Sequence, residues 1–171
     1  MKSYKRLPPW FMIASAFLPA LALSTTLLVP TMQVQAAEAE KAECKTYSVL
    51  LTKEGNGEVP ANLSFLHDTF QDEQFSAYQG YRLLETTTLK LDHKKPSLAL
   101  MKKTGHRLSL QFLGVLANKL KIHAILMAPN HKKPLVDTDY LSVNNGLLLV
   151  DGAKPADGNG RVFFAIQCRT Q

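Results

Sequence analysis

Cysteine is scarce in this chain. There are two among 171 residues, Cys44 and Cys168, and no C-x-x-C spacing between them. That excludes the paired-thiol redox motif, and neither cysteine stands beside a histidine that would activate it as a nucleophile. The five histidines occur without H-x-x-x-H or H-x-H spacing, so no metal-binding pattern is present. There is no G-x-S-x-G elbow to accompany the His67-Asp68 pair, which reads as part of a solvated helix face. Acidic residues are missing before Glu38. Strands and helices do not alternate as a βαβ fold would require. From these absences no cofactor, no metal and no catalytic residue is expected.

The acid-free start carries an export pattern. Lys2, Lys5 and Arg6 precede an apolar run from Trp10 to Val29, and Val34 and Ala36 supply small residues for a signal peptidase. Residues 1–36 are therefore read as an export signal, and the protein as periplasmic or secreted. The alternative is an uncleaved anchor, because a run of about 20 residues can span a bilayer. Pro19, Ser24, Thr25 and Thr26 weaken that alternative. Membrane contact is expected only through this segment if it is retained. The segment AEAEKAE, residues 37–43, has no large apolar side chain and reads as a flexible leader. The remainder, 44–171, has the size of one ordinary domain.

Losing the signal changes the charge. The whole chain carries +6, and Lys2, Lys5 and Arg6 account for three of those charges, which leaves +3. Basic and acidic residues are well mixed, which argues against nucleic acid as a partner. In an exported protein with two cysteines, a Cys44–Cys168 disulfide is the first expectation, tying the first strand to the last.

The remaining pattern is mostly β. Tyr47, Val49 and Leu51 alternate in the first strand, residues 46–53. Leu63, Leu66 and Phe70 recur at helical spacing over 61–70. After Gly80, alternating stretches predict strands near 81–91, 97–102, 107–116, 120–127, 135–143, 147–150 and 161–168. The turn residues Asn144-Asn145-Gly146 predict a hairpin, since Asn and Gly tolerate positive φ. The expected fold is mainly β: an antiparallel sandwich or open barrel of about eight strands, with one helix after the first strand.

Several residue groups invite a functional reading. His-Lys-Lys-Pro occurs twice, at 93–96 and 131–134, and Lys94, Lys95, Lys132 and Lys133 are candidate contacts for an anionic surface. Three strands separate the two copies. In a meander an odd number puts them at opposite ends, as two loops whose charges discourage edge pairing. Phe65, Phe70, Phe75, Tyr78 and Tyr81 cluster within seventeen residues. They pack on the sheet, or they form an aromatic groove for a partner peptide. Asp137 and Asp139 share a strand face, as an acid pair or as part of an exposed surface.

The segments FSAYQGYRLLET, SVNNGLLLVDG and RVFFAI resemble stretches of small uncharacterised exported bacterial proteins. The closing NNG segment is similar to hairpins of secretin-type outer-membrane assembly domains. That resemblance implies envelope assembly and assigns no residue a role. The function expected is a non-enzymatic binding or scaffolding module of the bacterial cell envelope with a protein partner. Two alternatives stand beside it. One is a small envelope hydrolase using loop His and Asp, such as His123 or His106 with Asp137 or Asp139. The other is a carrier of an apolar ligand inside a cavity lined by Leu108, Leu110, Phe112, Leu120 and Ile122.

Overall fold

The computed structural model describes residues 41–155 and 158–171, which belong to one compact unit, Ala36–Gln171. The expected export signal and residues 37–40 of the leader lie outside the described residues. Eight strands are present: β1 Lys41–Thr52, β2 Gly80–Asp92, β3 Ser97–Leu100, β4 Arg107–Leu116, β5 Lys119–Met127, β6 Val136–Val143, β7 Leu147–Ala153 and β8 Arg161–Thr170. They form two antiparallel four-stranded sheets, in the orders β2-β1-β8-β7 and β3-β4-β5-β6. We call these sheet A and sheet B. The fold is an open sandwich, as the alternation predicts.

The apolar pattern explains the layers. Ala42, Cys44 and Leu50 of β1 and Val162, Phe164, Ile166 and Cys168 of β8 face sheet B. They meet Leu108, Leu110 and Phe112 of β4 and Leu120, Ile122, Ala124 and Leu126 of β5. The intervening residues Val49, Leu51, Phe163 and Ala165 point the other way, into a second core. Sheet A is thus buried on both faces, which is why RVFFAI reads as an unbroken apolar run. Sheet B shows strict alternation and keeps its outer face open to solvent.

The second core is roofed by the β1–β2 connection. A 3₁₀ stretch, Ala61–Leu66, leads into a single α-helical turn, α1, His67–Phe70. The expected helix over 61–70 is therefore mostly 3₁₀. Its first turn has no side-chain cap and no acid, so nothing favours a longer α-helix there. The periodicity still places Leu63, Leu66 and Phe70 inward, all buried.

Two expectations need correction. β1 begins at Lys41, so residues 41–43 are strand and not leader. Ala42 is fully buried and lies between Leu91 of β2 and Thr170 of β8, which orders the chain there. The NNG segment is a turn but not a hairpin. It carries the chain from β6 in sheet B to β7 in sheet A. Asn145 does take positive φ, 60°. The turn closes on itself, with Gly146 N–H donating to the Val143 carbonyl at 2.8 Å, and is tied to β8: Asn145 N–H donates to the Cys168 carbonyl at 2.7 Å, and Thr170 N–H to Asn144 Oδ1 at 3.0 Å. The tight hairpin is at Ala117-Asn118, whose φ values of 48° and 62° fit a type I′ turn between β4 and β5.

Three register shifts interrupt the ladders. They leave Leu84, Leu113 and Gly152 as extra residues opposite an uninterrupted partner strand. Thr46 and Ser48 on the inner face of β1 are fully buried, and their hydroxyls have no hydrogen-bond partner among the described residues. Each such group costs about 1–3 kcal/mol.

Candidate functional site

The disulfide expected from cysteine count is present between Cys44 and Cys168. The two residues lie directly opposite each other on β1 and β8, with Cα atoms 4.0 Å apart. Both are buried in the core between the sheets. A buried disulfide fits an extracellular or periplasmic setting. Among the described residues no helix is long and apolar enough to cross a membrane.

The aromatic cluster belongs mainly to the second core. Phe70 stacks on Tyr81, with ring centroids 4.7 Å apart, and meets Phe75 edge-on at 5.6 Å. Phe75 and Tyr78 both pack edge-on against Phe163. The Tyr81 hydroxyl donates to the Tyr78 carbonyl at 3.0 Å. Phe70 and Phe75 are buried, which takes them out of any exposed aromatic groove. Phe65 lies against Tyr47 at 4.5 Å and is 40% exposed. Phe70 and Phe75 thus attach the 61–81 segment to sheet A, while Phe65, Tyr78 and Tyr81 keep part of their surface exposed.

The two His-Lys-Lys-Pro loops lie at opposite ends of the β3–β6 meander. At 93–96 the Asp92 carboxylate accepts hydrogen bonds from the backbone N–H groups of Lys94 and Lys95, at 2.9 and 3.0 Å. Those two bonds, Lys95 first, hold the Asp92 carboxyl below its ordinary value. His93 packs its ring against Phe112 at 4.7 Å. The loop is a closed turn with Lys94 and Lys95 exposed. Lys132 and Lys133 are likewise exposed, in the β5–β6 connection. The four lysines do not converge on one site. His131, from the second copy, instead lines a cavity with residues of sheet A.

A polar network sits on the open face of sheet B. His123 on β5 is opposite Asp139 on β6, and its Nδ1 lies 2.8 Å from Asp139 Oδ1. Its Nε2 lies 3.4 Å from Asp137 Oδ1. Lys121 Nζ approaches Asp139 Oδ2 at 2.9 Å. Period-two alternation accounts for the whole group. Lys121 and His123 share one face of β5, and Asp137 and Asp139 the matching face of β6. The expected His–Asp proximity is present, but on strands and not loops. Both ring nitrogens face carboxylates, so no ring nitrogen is left open toward a substrate. The chemistry this arrangement supports is charge pairing across strands.

The same network has a pH signature. Hydrogen bonding from Lys121, and then from His123, lowers the Asp139 carboxyl from its ordinary value. A carboxyl depressed in the folded state contributes stability that is complete above the unfolded-state value. That contribution is lost as pH falls through the folded value. Asp139→Asn is therefore expected to flatten the acid limb of the stability–pH curve, with its loss of stability fully developed above about pH 4 and vanishing as pH falls further. Urea unfolding of both proteins across that range checks it; parallel acid limbs would refute the assignment.

His106, the other histidine of interest, is 3% exposed. Its Nε2–H donates to the Gly152 carbonyl at 2.6 Å, Nδ1 lies 3.2 Å from the Thr104 carbonyl, and the ring meets Phe164 edge-on. It has no carboxylate partner among the described residues and ties sheet B to sheet A. Sequence reasoning missed this role, because the partner carbonyl becomes available only through the Gly152 bulge. The five residues named for an apolar carrier, Leu108, Leu110, Phe112, Leu120 and Ile122, pack in the core between the sheets. Comparisons with protein-family models, curated proteins and solved structures find no match for this chain.

Proposed function

We propose that this protein is an exported, non-enzymatic binding module of the bacterial cell envelope that accepts a strand of a partner protein along β6. The observation that carries the reading is the β6 edge. Among the described residues β6 pairs with β5 alone, so one side of an eight-residue strand offers its backbone groups to a partner. Leu141 and Val143 at its far end are more than half exposed on the adjoining face. Asp137 and Asp139 at its near end are the kind of charge that discourages indiscriminate edge pairing. Lys121 and His123 hold those carboxylates on the sheet, so the apolar end is the stretch open to a partner. The disulfide and the export pattern of residues 1–36 support an envelope location.

In intact cells of the native host, a photo-crosslinking residue at position 141 is expected to capture one envelope protein. Capture should fall at least about tenfold in a Val143→Lys background, because the charge lies in the apolar stretch. Equal capture from position 98, across the sheet, would overturn the reading, as would insensitivity to Val143→Lys or recovery of the protein alone. The second reading, an envelope hydrolase, rests on the 2.8 Å His123–Asp139 contact. It predicts ester or amide hydrolysis that disappears in His123→Ala, and no such activity is expected.

A further inference from the structure

At one end of the sandwich, between the sheets, lies an open cavity of about 450 Å³. That is within the range of small-ligand sites. Sheet A contributes Arg82 from β2 and Lys154 just after β7, while sheet B contributes Lys103 and His131 from its connecting loops. Among the described lining residues there is no carboxylate. Glu85, nearby on β2, is engaged by the backbone N–H groups of Lys102 and Lys103, at 2.9 and 3.0 Å. Arg82, Lys103 and Lys154 have no ion-pair partner among the described residues. Elsewhere in the sandwich Lys121, Arg161 and Arg169 are matched by Asp139, Asp151 and Glu43, while Lys90, Arg107 and Lys119 also stand without an ion pair among the described residues.

The cavity is shaped by backbone irregularity and not by loops alone. Leu84, the bulged residue of β2, lines it. At the Gly152 bulge of β7, a carbonyl released from the ladder accepts from buried His106, which also lines it. A Cβ at Gly152 would stand 2.4 Å from Phe164 Cε2, so glycine is required for β7 to bend here. Bulges commonly re-aim side chains beside functional sites. Leu50 and Val162 give an apolar floor beneath the cations.

We infer that this cavity binds a phosphoryl group, held by Arg82, Lys103 and Lys154, with the apolar floor under the rest of the ligand. Three cations without an ion-pair partner among the described residues line one hollow, and an anion there would offset their mutual repulsion. A guanidinium with flanking ammonium groups suits the multiple acceptor oxygens of a phosphoryl group. The group belongs either to a free phosphate compound or to a phospholipid headgroup. This inference is independent of the β6 edge, which lies along the flank of sheet B.

The test uses the purified, disulfide-bonded protein with two probes: inorganic phosphate, followed by calorimetry, and vesicles of phosphatidylglycerol against phosphatidylcholine, followed by co-sedimentation. Two double variants are compared, Arg82→Gln with Lys154→Gln, and Lys132→Gln with Lys133→Gln. Each removes two positive charges from exposed positions, and thermal unfolding confirms that both fold. Affinity for phosphate is expected to fall at least about tenfold in the first variant and to stay within about twofold in the second. The same pattern seen only with phosphatidylglycerol vesicles supports the site and identifies a lipid headgroup as its source. Equal weakening in both variants would mean attraction to net charge alone and would overturn the site. So would a larger loss in the Lys132/Lys133 variant, or no binding to either probe.

Discussion

Replacing Cys44 and Cys168 together by alanine is expected to lower the unfolding free energy by about 4–5 kcal/mol. The two cysteines are 124 residues apart in sequence, so the bridge closes most of the described chain into one loop. In the chain-entropy account, a crosslink over a loop of that length removes much of the freedom of the unfolded chain. In the folded state it adds little constraint, because β1 and β8 are already hydrogen-bonded neighbours in sheet A. Its burial between the sheets also shields it from reductant until the sandwich opens. Denaturant unfolding of the wild type, the double variant and the reduced wild type measures the effect. The reduced protein and the double variant should agree to within about 1 kcal/mol, the difference being the two lost sulfur atoms in the core. A loss below about 1 kcal/mol in both would show that the unfolded chain is held compact by other means.

Phe70→Ala is expected to be nearly as damaging, at about 3–5 kcal/mol. Phe70 is 3% exposed, and its ring stacks on Tyr81 and meets Phe75. Removing it leaves a hole under the α1 turn, at the point where the β1–β2 connection is attached to sheet A. Neighbouring Leu63 and Leu66 are held in the same core and have little room to collapse into the gap. Phe65→Ala, by contrast, should cost no more than about 1 kcal/mol, since that ring is 40% exposed. The pair of variants separates the two uses of an aromatic cluster. Were the cluster a surface for a partner, both substitutions would leave stability nearly unchanged and both would weaken binding. Thermal unfolding of the two variants, read against wild type, decides between them.

Much of this molecule was legible from residue order. The alternation of Leu120, Ile122, Ala124 and Leu126 against Lys121 and His123 assigned β5 its two faces, because side chains in a strand point to opposite sides in turn. The spacing of Leu63, Leu66 and Phe70 assigned the buried side of the 61–70 segment, although its helix is mostly 3₁₀. Two cysteines near the ends of the β-rich region implied the bridge. The positive, apolar and small-residue order of residues 1–36 carries the expectation of export, and those residues lie outside the described ones. These are local patterns, and local sterics and solvation are enough to produce them.

What stayed hidden depended on which strand lies beside which. Asn144-Asn145-Gly146 has hairpin chemistry, yet it leads out of the β6 sheet, and β8 ties it down. That outcome requires a sandwich in which β6 and β7 belong to different sheets. The pairing of His123 with Asp139 follows from the register of β5 against β6, which the residue types alone do not specify. The cationic cavity draws Arg82, Lys103, His131 and Lys154 from four separate segments. It depends on the Leu84 and Gly152 bulges, where one extra residue shifts a ladder and frees a carbonyl for His106. Sequence by itself determined the faces, the bridge and the β class of the domain, because those rest on the period of neighbouring residues. The strand order, the matched and unmatched charges and the two candidate binding surfaces were decided by tertiary structure, because each is a contact between residues distant in the chain.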